Sequence, residues 1–548
     1  MRSLIPAWLA GAVVLLHPFP ACAIDTSSLP AADPGKFLAL QRSQALLAAS
    51  TKTNPHPVRI LFYGQSITLQ EWWLKTRDEL RRLFPEANLI IDNRAISGLN
   101  ASFLIKTAET DVYPFRPDLI FFQAYGPYGA GKEWESLLSQ FRARTTADVI
   151  LLGNHVLSNN ELNETTDPAL ATDTRTEAWV NYVFSPKIAR ERGFCFPDNR
   201  TAWKAYLRAN GLPVSALLKD NIHLNAEGSE LLFSVVRFYL KVPRQVPQLD
   251  PFNNTRVTTW AVGTAALAWT SNRWLRLPFL GNRVDAITTS GARGQFDVRV
   301  DGVPPSNLPS SRGHGRVSSW LTEPVMRPAL LKVGFEQPPI SEKWTLKVTA
   351  IDRSDANQFK FSLSGSITGP DGEGDSRESF VSNSRRVTIA PEDWFRGASP
   401  GPIGAVVGWT SDIRTPDQFF ADVSPGQIGE VATTLINDLA DGEHVLELFA
   451  TPGADLSAIV ALRTYHPGGG MPGTERDRSG NPQLRVLPLE NRWLTFWPRD
   501  GTSWRGFRRS SLNATVQPLT QTAQLFDDLN AAYVSLDEEL GFFGLESP

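Results

Sequence analysis

The sequence is short of cysteine, of net charge and of long apolar runs, and each shortage excludes something. Only Cys22 and Cys195 occur in 548 residues. Cys22 falls in a leader-like N-terminus, so Cys195 is left alone and no intramolecular disulfide is expected; stability must come from packed cores. Cys195 sits in the apolar run Phe194-Cys195-Phe196 and reads as a buried, inert thiol. Charge is balanced, at 54 basic against 57 acidic residues, which gives no footprint for nucleic acid and no polybasic membrane patch. The run from Leu4 to Leu16 is too short to span a bilayer, and no other stretch reads as a membrane span. No His/Cys/Asp cluster has metal-ligand spacing, so neither a catalytic metal nor a cofactor is expected. Gly291-Ala-Arg-Gly294 lacks the Lys-Ser/Thr ending of a phosphate loop.

What is present begins with that leader. Arg2 precedes the apolar run, Pro18 and Pro20 follow it, and Ala21-Cys22-Ala23 fits a signal-peptidase site. Residues 1–23 are therefore expected to be a signal peptide and the protein to be secreted or periplasmic. A lipoprotein anchor through Cys22 fits less well, because Phe19 and Pro20 occupy positions that want an aliphatic and a small residue. The length calls for two or three domains. After a lead-in over 24–55, residues 56–242 alternate between strand and helix patterns. Val58–Tyr63, Ala87–Ile91, Asp118–Ala124, Asp148–Leu152 and the short Gly193–Phe196 read as strands. Trp72–Phe84, Ala101–Ala108, Trp134–Arg142, Trp179–Arg192 and Asn225–Leu240 read as helices. This pattern predicts an α/β fold with a parallel sheet covered on both faces. A linker over 243–256 leads to a β-rich segment, 257–467, with Asp-Gly and Gly-rich turns, expected to be a β-sandwich-like accessory domain. Ser366–Arg377 reads as an exposed loop there, and 468–548 as a linker and tail. Most of the 16 tryptophans are expected in cores; exposed ones would suit stacking on sugar rings.

Two short segments carry chemistry. The strand ending at Tyr63 runs into Gly64-Gln65-Ser66, which places Ser66 at the edge of the sheet where open parallel sheets bind ligands. A helix start there would favour developing negative charge, although a serine at such a turn also serves as an ordinary cap. Asp220-Asn-Ile-His223 lies just before a helical pattern, at a spacing that lets the carboxylate hold Nδ1 of the imidazole while Nε2 takes a proton from Ser66. Asp220 also fits a capping role and His223 a surface role. His155, after the fourth strand, is a rival base.

Together these segments resemble the SGNH (GDSL-type) hydrolase family over roughly residues 56–242. Gly64-Gln65-Ser66-Ile67-Thr68 is similar to its first block, Asn93-Arg-Ala-Ile-Ser-Gly98 to its second, and Asp220-Asn-Ile-His223 to its last. The resemblance implies a flavodoxin-like three-layer fold. It also implies Ser66, His223 and Asp220 as catalytic residues, and backbone N–H groups of Ser66 and Gly98 in an oxyanion hole. Gln65 replaces the usual aspartate, as in the sialate O-acetylesterase-like branch. The third block, Gly-x-Asn-Asp, is missing: the third strand ends Gln123-Ala-Tyr-Gly126-Pro-Tyr128-Gly129. Loss of one oxyanion donor costs about 3 kcal/mol of transition-state stabilisation. Asn154, Tyr128 or a backbone N–H near Gly129 are the candidate substitutes. The implied function is an exported serine esterase that removes acyl groups, acetyl foremost, from a poly- or oligosaccharide. A lipase or arylesterase, and a non-catalytic carbohydrate-binding protein on a hydrolase scaffold, are the alternatives.

Overall fold

The computed structural model describes residues 24–126, 131–240, 249–288, 291–320, 327–397, 401–424 and 426–470, and seven strands between 485 and 546. The expected signal peptide, Tyr128 and Gly129 lie outside the described residues, as does the first part of the expected linker.

Four parallel strands, β1 (Pro57–Gly64), β2 (Asn88–Asn93), β3 (Leu119–Gln123) and β4 (Asp148–Leu151), form a sheet in the order β2-β1-β3-β4. Both faces are covered, so the strands read as continuous apolar runs. Successive side chains of β1 alternate between two cores. Ile60 and Phe62 enter one with Trp72, Phe121 and Leu231; Leu61 and Tyr63 enter the other with Leu104, Phe122 and Phe141. The expected fifth strand is reduced to one parallel bridge, Ile150 to Cys195. Cys195 is fully buried and burial pushes its thiol pKa far up. Native protein is therefore expected to leave a thiol reagent unreacted until unfolded, as a colorimetric thiol titration would show.

Of the elements that were not anticipated, two regions contribute to the core. The lead-in is part of the α/β unit: Pro34–Leu40 is a 3₁₀ helix and α1 (Gln41–Ala49) follows it. Phe37, Leu38 and Leu47 enter the core, and Arg42 pairs with Asp118 at 2.7 Å. The signal was Asp33 followed by Pro34; the Asp33 carboxylate accepts from Gly35 N, a helix-start signature. The second is the helix Asn199–Ala209, whose buried Ala202, Trp203, Tyr206 and Leu207 fall on one face at helical spacing.

The β-rich segment divides in two. A sandwich pairs the sheet Gln418–Asp422, Arg293–Val300, Gly442–Ala450, Trp274–Gly281 with the sheet Val431–Ile436, Arg283–Thr288, Ile459–Tyr465, Val257–Ala261. Between Val300 and Gln418 the chain leaves it to build a five-stranded sheet with its own core. Gly369–Asp375 is an edge strand of that sheet, paired with Phe359–Gly365, and not the loop expected of Ser366–Arg377. Backbone ladder bonds place it there, and its Gly/Asp composition carries no alternation to read. The inserted unit docks on the α/β unit by Lys106–Asp393 (2.8 Å) and by Arg316–Asp111 (2.6 Å), with Leu331 and Phe395 entering the α/β core. The C-terminal region is no plain tail. It forms antiparallel sheets, one of them Arg485–Leu489, Arg492–Pro498, Leu529–Ser535 and Thr522–Phe526.

Candidate active site

Ser66 follows β1 directly. Gly64 makes the turn with φ +142°, and a Cβ on it would lie 1.8 Å from the Gln123 carbonyl oxygen. Only glycine lets β1 and β3 approach this closely. Gly64→Ala is expected to destabilise the fold by about 3 kcal/mol or more, measurable by denaturant unfolding. Ser66 opens a single 3₁₀ turn, Ser66–Leu69, rather than a long helix; α2 (Trp72–Leu83) starts afterwards. Trp72 Nε1 donates to the Ile67 carbonyl at 2.6 Å and Asn93 Nδ2 to that of Thr68 at 2.8 Å, so the turn is tied to its surroundings.

His223 arrives from the far end of the α/β unit. An antiparallel bridge between Leu218 and Leu224 pinches off the loop between them, and Asn225 caps the next helix, Ala226–Phe238. His223 Nε2 lies 3.0 Å from Ser66 Oγ. Its Nδ1 lies 2.9 Å from Asp220 Oδ2. The other carboxylate oxygen accepts from the backbone N–H of Ile222 at 2.8 Å and of His223 at 2.7 Å. These N–H groups, His223's first, hold the Asp220 carboxyl well below the usual carboxylate range. The two side chains are 30% and 50% exposed, so the site opens at the surface.

The rival base serves a different end. His155 is buried, and burial pushes its pKa down to about 3. Its Nε2 lies 2.8 Å from the Ile222 carbonyl; a carbonyl only accepts, so this nitrogen carries the hydrogen. His155 thus fixes the loop between Asp220 and His223. Arg200 Nη1 donates at 2.7 Å to the His155 carbonyl. His155→Ala is expected to lower kcat about 10- to 100-fold through loss of alignment, with KM little changed in steady-state kinetics. His314 is a second neutral buried histidine, pushed down to about 4 by burial. The unfolded chain protonates both near 6.5, so between there and about 3 to 4 it binds more protons than the fold. Their contribution to stability is complete above pH 6.5 and drains away as pH falls through that window. Urea midpoints at pH 7.5 and 4.5 should show the loss, and His155→Gln should flatten it.

Asn154, offered as a replacement oxyanion donor, is otherwise engaged. Its Nδ2 donates to Glu177 Oε2 at 2.9 Å and its Oδ1 accepts from Gln123 Nε2 at 3.4 Å. The residue that sequence reasoning undervalued is Gln65. It is buried, donates through Nε2 to the Leu99 carbonyl and accepts at Oε1 from Tyr125 N at 2.7 Å. An aspartate could not donate to that carbonyl; the Gly-Gln-Ser spelling was the available signal. Gln65 therefore ties the segment carrying Gly98 to the one that follows β3. Ile96 N donates to the Gly64 carbonyl at 2.9 Å, which holds the same segment against the Ser66 turn. Gly98 has φ +78°, and a Cβ there would lie 3.5 Å from Arg327 Nη1 of the inserted unit. The Arg327 guanidinium sits 5.2 Å from the Phe395 ring centre, and Phe395 meets Phe103 edge-on at 5.9 Å.

The parallel order β2-β1-β3-β4, with Ser66 following β1 and a β-rich partner, is the α/β-plus-β architecture expected from the sequence. No family model matches the chain, and no curated protein matches it. Solved structures do. A two-domain esterase active on acetylated mannans is 12% identical, covers 82% of this chain and 100% of its own, and has a TM-score of 0.30. An acetylxylan esterase from Geobacillus stearothermophilus is 18% identical, covers 35% of this chain and 97% of its own, and has a TM-score of 0.29.

Proposed function

We propose that the protein is a serine esterase that removes short acyl groups, acetyl foremost, from carbohydrate, and that it acts outside the cytoplasm. The observation that carries the reaction is the line from Asp220 through His223 to Ser66, at 2.9 and 3.0 Å. Ser66 Oγ attacks the ester carbonyl while His223 Nε2 takes its proton. The tetrahedral intermediate collapses, and His223 returns the proton to the departing sugar hydroxyl. A water activated by the same nitrogen then releases the acyl group as its acid. The backbone N–H groups of Ser66 and Gly98 face the developing oxyanion. Arg327 adds a positive charge beside Gly98.

The substrate reading rests on the openness of the site. A long acyl chain wants an enclosed apolar groove. Here, among the described residues, the catalytic side chains stand half-exposed at the surface, with Leu69 and Ile222 as exposed apolar neighbours. That suits a small acyl group carried on a bulky polar alcohol. The position outside the cytoplasm rests on residues 1–23 alone. The test is hydrolysis of acetylated manno- and xylo-oligosaccharides against long-chain nitrophenyl esters. Preference for the long chains would overturn the substrate class, and binding without turnover would overturn the enzyme. Arg327→Met is expected to lower kcat on the acetylated sugar about tenfold, and Arg327→Lys to restore part of it.

A further inference from the structure

The opposite edge of the sheet holds a second, unrelated feature. Where the N-terminal ends of β1 and β3 meet the sandwich, a cavity of about 50 Å³ lies between the two units. At roughly 10–15 Å³ per water this is room for a few waters or one tetrahedral ion. Its lining is unusually cationic. Three arginine–carboxylate pairs form part of the wall. Arg42 meets Asp118 at 2.7 Å, Arg463 grips Glu430 at 2.8 and 3.1 Å, and Arg283 holds Asp285 through two contacts. Each carboxylate is thereby taken. Arg59 and Arg116 complete the wall, and among the described residues neither has a carboxylate within ion-pair distance. Arg116 Nε is buried with no hydrogen-bond partner. Five guanidinium groups thus face three carboxylates, an excess of two positive charges in a partly desolvated place.

Both side chains are part-buried rather than fully turned to water. Burial, and then the nearby Arg283, lower the pKa of both Arg59 and Arg116, Arg116 to about 10. Buried cations of like sign without partners are costly, whereas planar guanidinium donors match the oxygens of a tetrahedral anion. The wall comes from both units: Arg59 and Arg116 from the α/β unit, and Arg283 and Arg463 from the sandwich.

We propose that this cavity binds one small inorganic oxyanion of the phosphate or sulfate class, which ties the α/β unit to the sandwich. The site is remote from the ester chemistry, at the other edge of the sheet, and does not depend on the esterase reading.

The experiment uses the full chain in phosphate- and sulfate-free buffer at fixed ionic strength. Equilibrium dialysis with labelled phosphate, then sulfate, should show saturable uptake of one ion per chain, unchanged by Ser66→Ala. Thermal unfolding should shift upward with a saturating dose dependence that chloride and acetate do not reproduce. Arg59→Gln and Arg116→Gln should each weaken uptake on the order of tenfold, the loss expected for a charge-assisted hydrogen bond. The stability pattern is diagnostic. Without the anion, Arg116→Gln removes a part-buried cation that has no carboxylate partner and should melt higher than wild type; with saturating phosphate it should melt lower. Absence of saturable uptake by wild type, uptake unaffected by both variants, or an Arg116→Gln protein less stable in both buffers would each overturn the proposal. The wild-type stoichiometry decides the matter should a variant fail to fold.

Discussion

Ser66→Ala is expected to lower kcat for nitrophenyl acetate hydrolysis by about 10⁶-fold, the loss typical of removing the nucleophile from a serine hydrolase. In the proposed reaction the hydroxyl is the atom that forms the acyl bond, and alanine leaves nothing at 3.0 Å from His223 Nε2 to be activated. The fold should be indifferent. The side chain is half-exposed, and the turn is held by backbone and neighbouring groups, including Gln70 Nε2 on the Ser66 carbonyl at 3.1 Å. Stability should therefore change by no more than about 0.5 kcal/mol, the usual range for a surface substitution. Active-site residues acting as a unit are not additive, so Ser66→Ala combined with His223→Ala should be no slower than Ser66→Ala alone. Equal wild-type and Ser66→Ala rates would end the catalytic reading. A further large drop in the double variant would mean that His223 serves a different reaction.

Asp220→Asn should cost about 10⁴-fold in kcat although it changes one atom. The carboxylate has two tasks divided between its oxygens. One accepts the backbone N–H groups of Ile222 and His223; the other accepts His223 Nδ1–H. In asparagine the carbonyl oxygen would keep the two backbone bonds, because only it can accept. The amide nitrogen would then face Nδ1 as a donor and force that nitrogen to give up its hydrogen. The hydrogen would move to Nε2, which would point it at Ser66 Oγ and could no longer take a proton. The loop should stay folded, since the Leu218–Leu224 bridge and the His155 contact do not involve the carboxylate. A variant retaining more than a tenth of wild-type kcat would show that Asp220 does not set the tautomer. KM should hardly move, because in the proposed reaction the carboxylate acts through His223.

How much of this was legible varied by element. The parallel sheet was readable because its strands are buried on both faces and separated by helices with clear spacing; β1 and β3 were placed within a residue or two of where they lie. The Gly369–Asp375 strand was not, since a ladder of backbone bonds leaves no mark on a Gly/Asp-rich sequence. The inserted five-stranded unit was invisible for a related reason: alternation identifies strands but does not say which sheet each one joins. At the site, Ser66, Asp220 and His223 could be named from short blocks with known spacing. Gln65 could be noted only as a departure. His155 was ambiguous, because a histidine's role depends on what its two nitrogens touch. Arg327 had no local pattern at all; it comes from 261 positions beyond Ser66, in a different unit.

The sequence by itself determined the α/β and β-rich segments and singled out Ser66, Asp220 and His223 as the candidate set, because periodicity, composition and short-range spacing are local properties. Tertiary structure alone decided that Ser66 and His223, 157 residues apart, stand at hydrogen-bonding distance, that His155 is a neutral strut, and that unpaired arginines collect between two units. Those outcomes depend on distances and burial, which arise only when remote segments pack together.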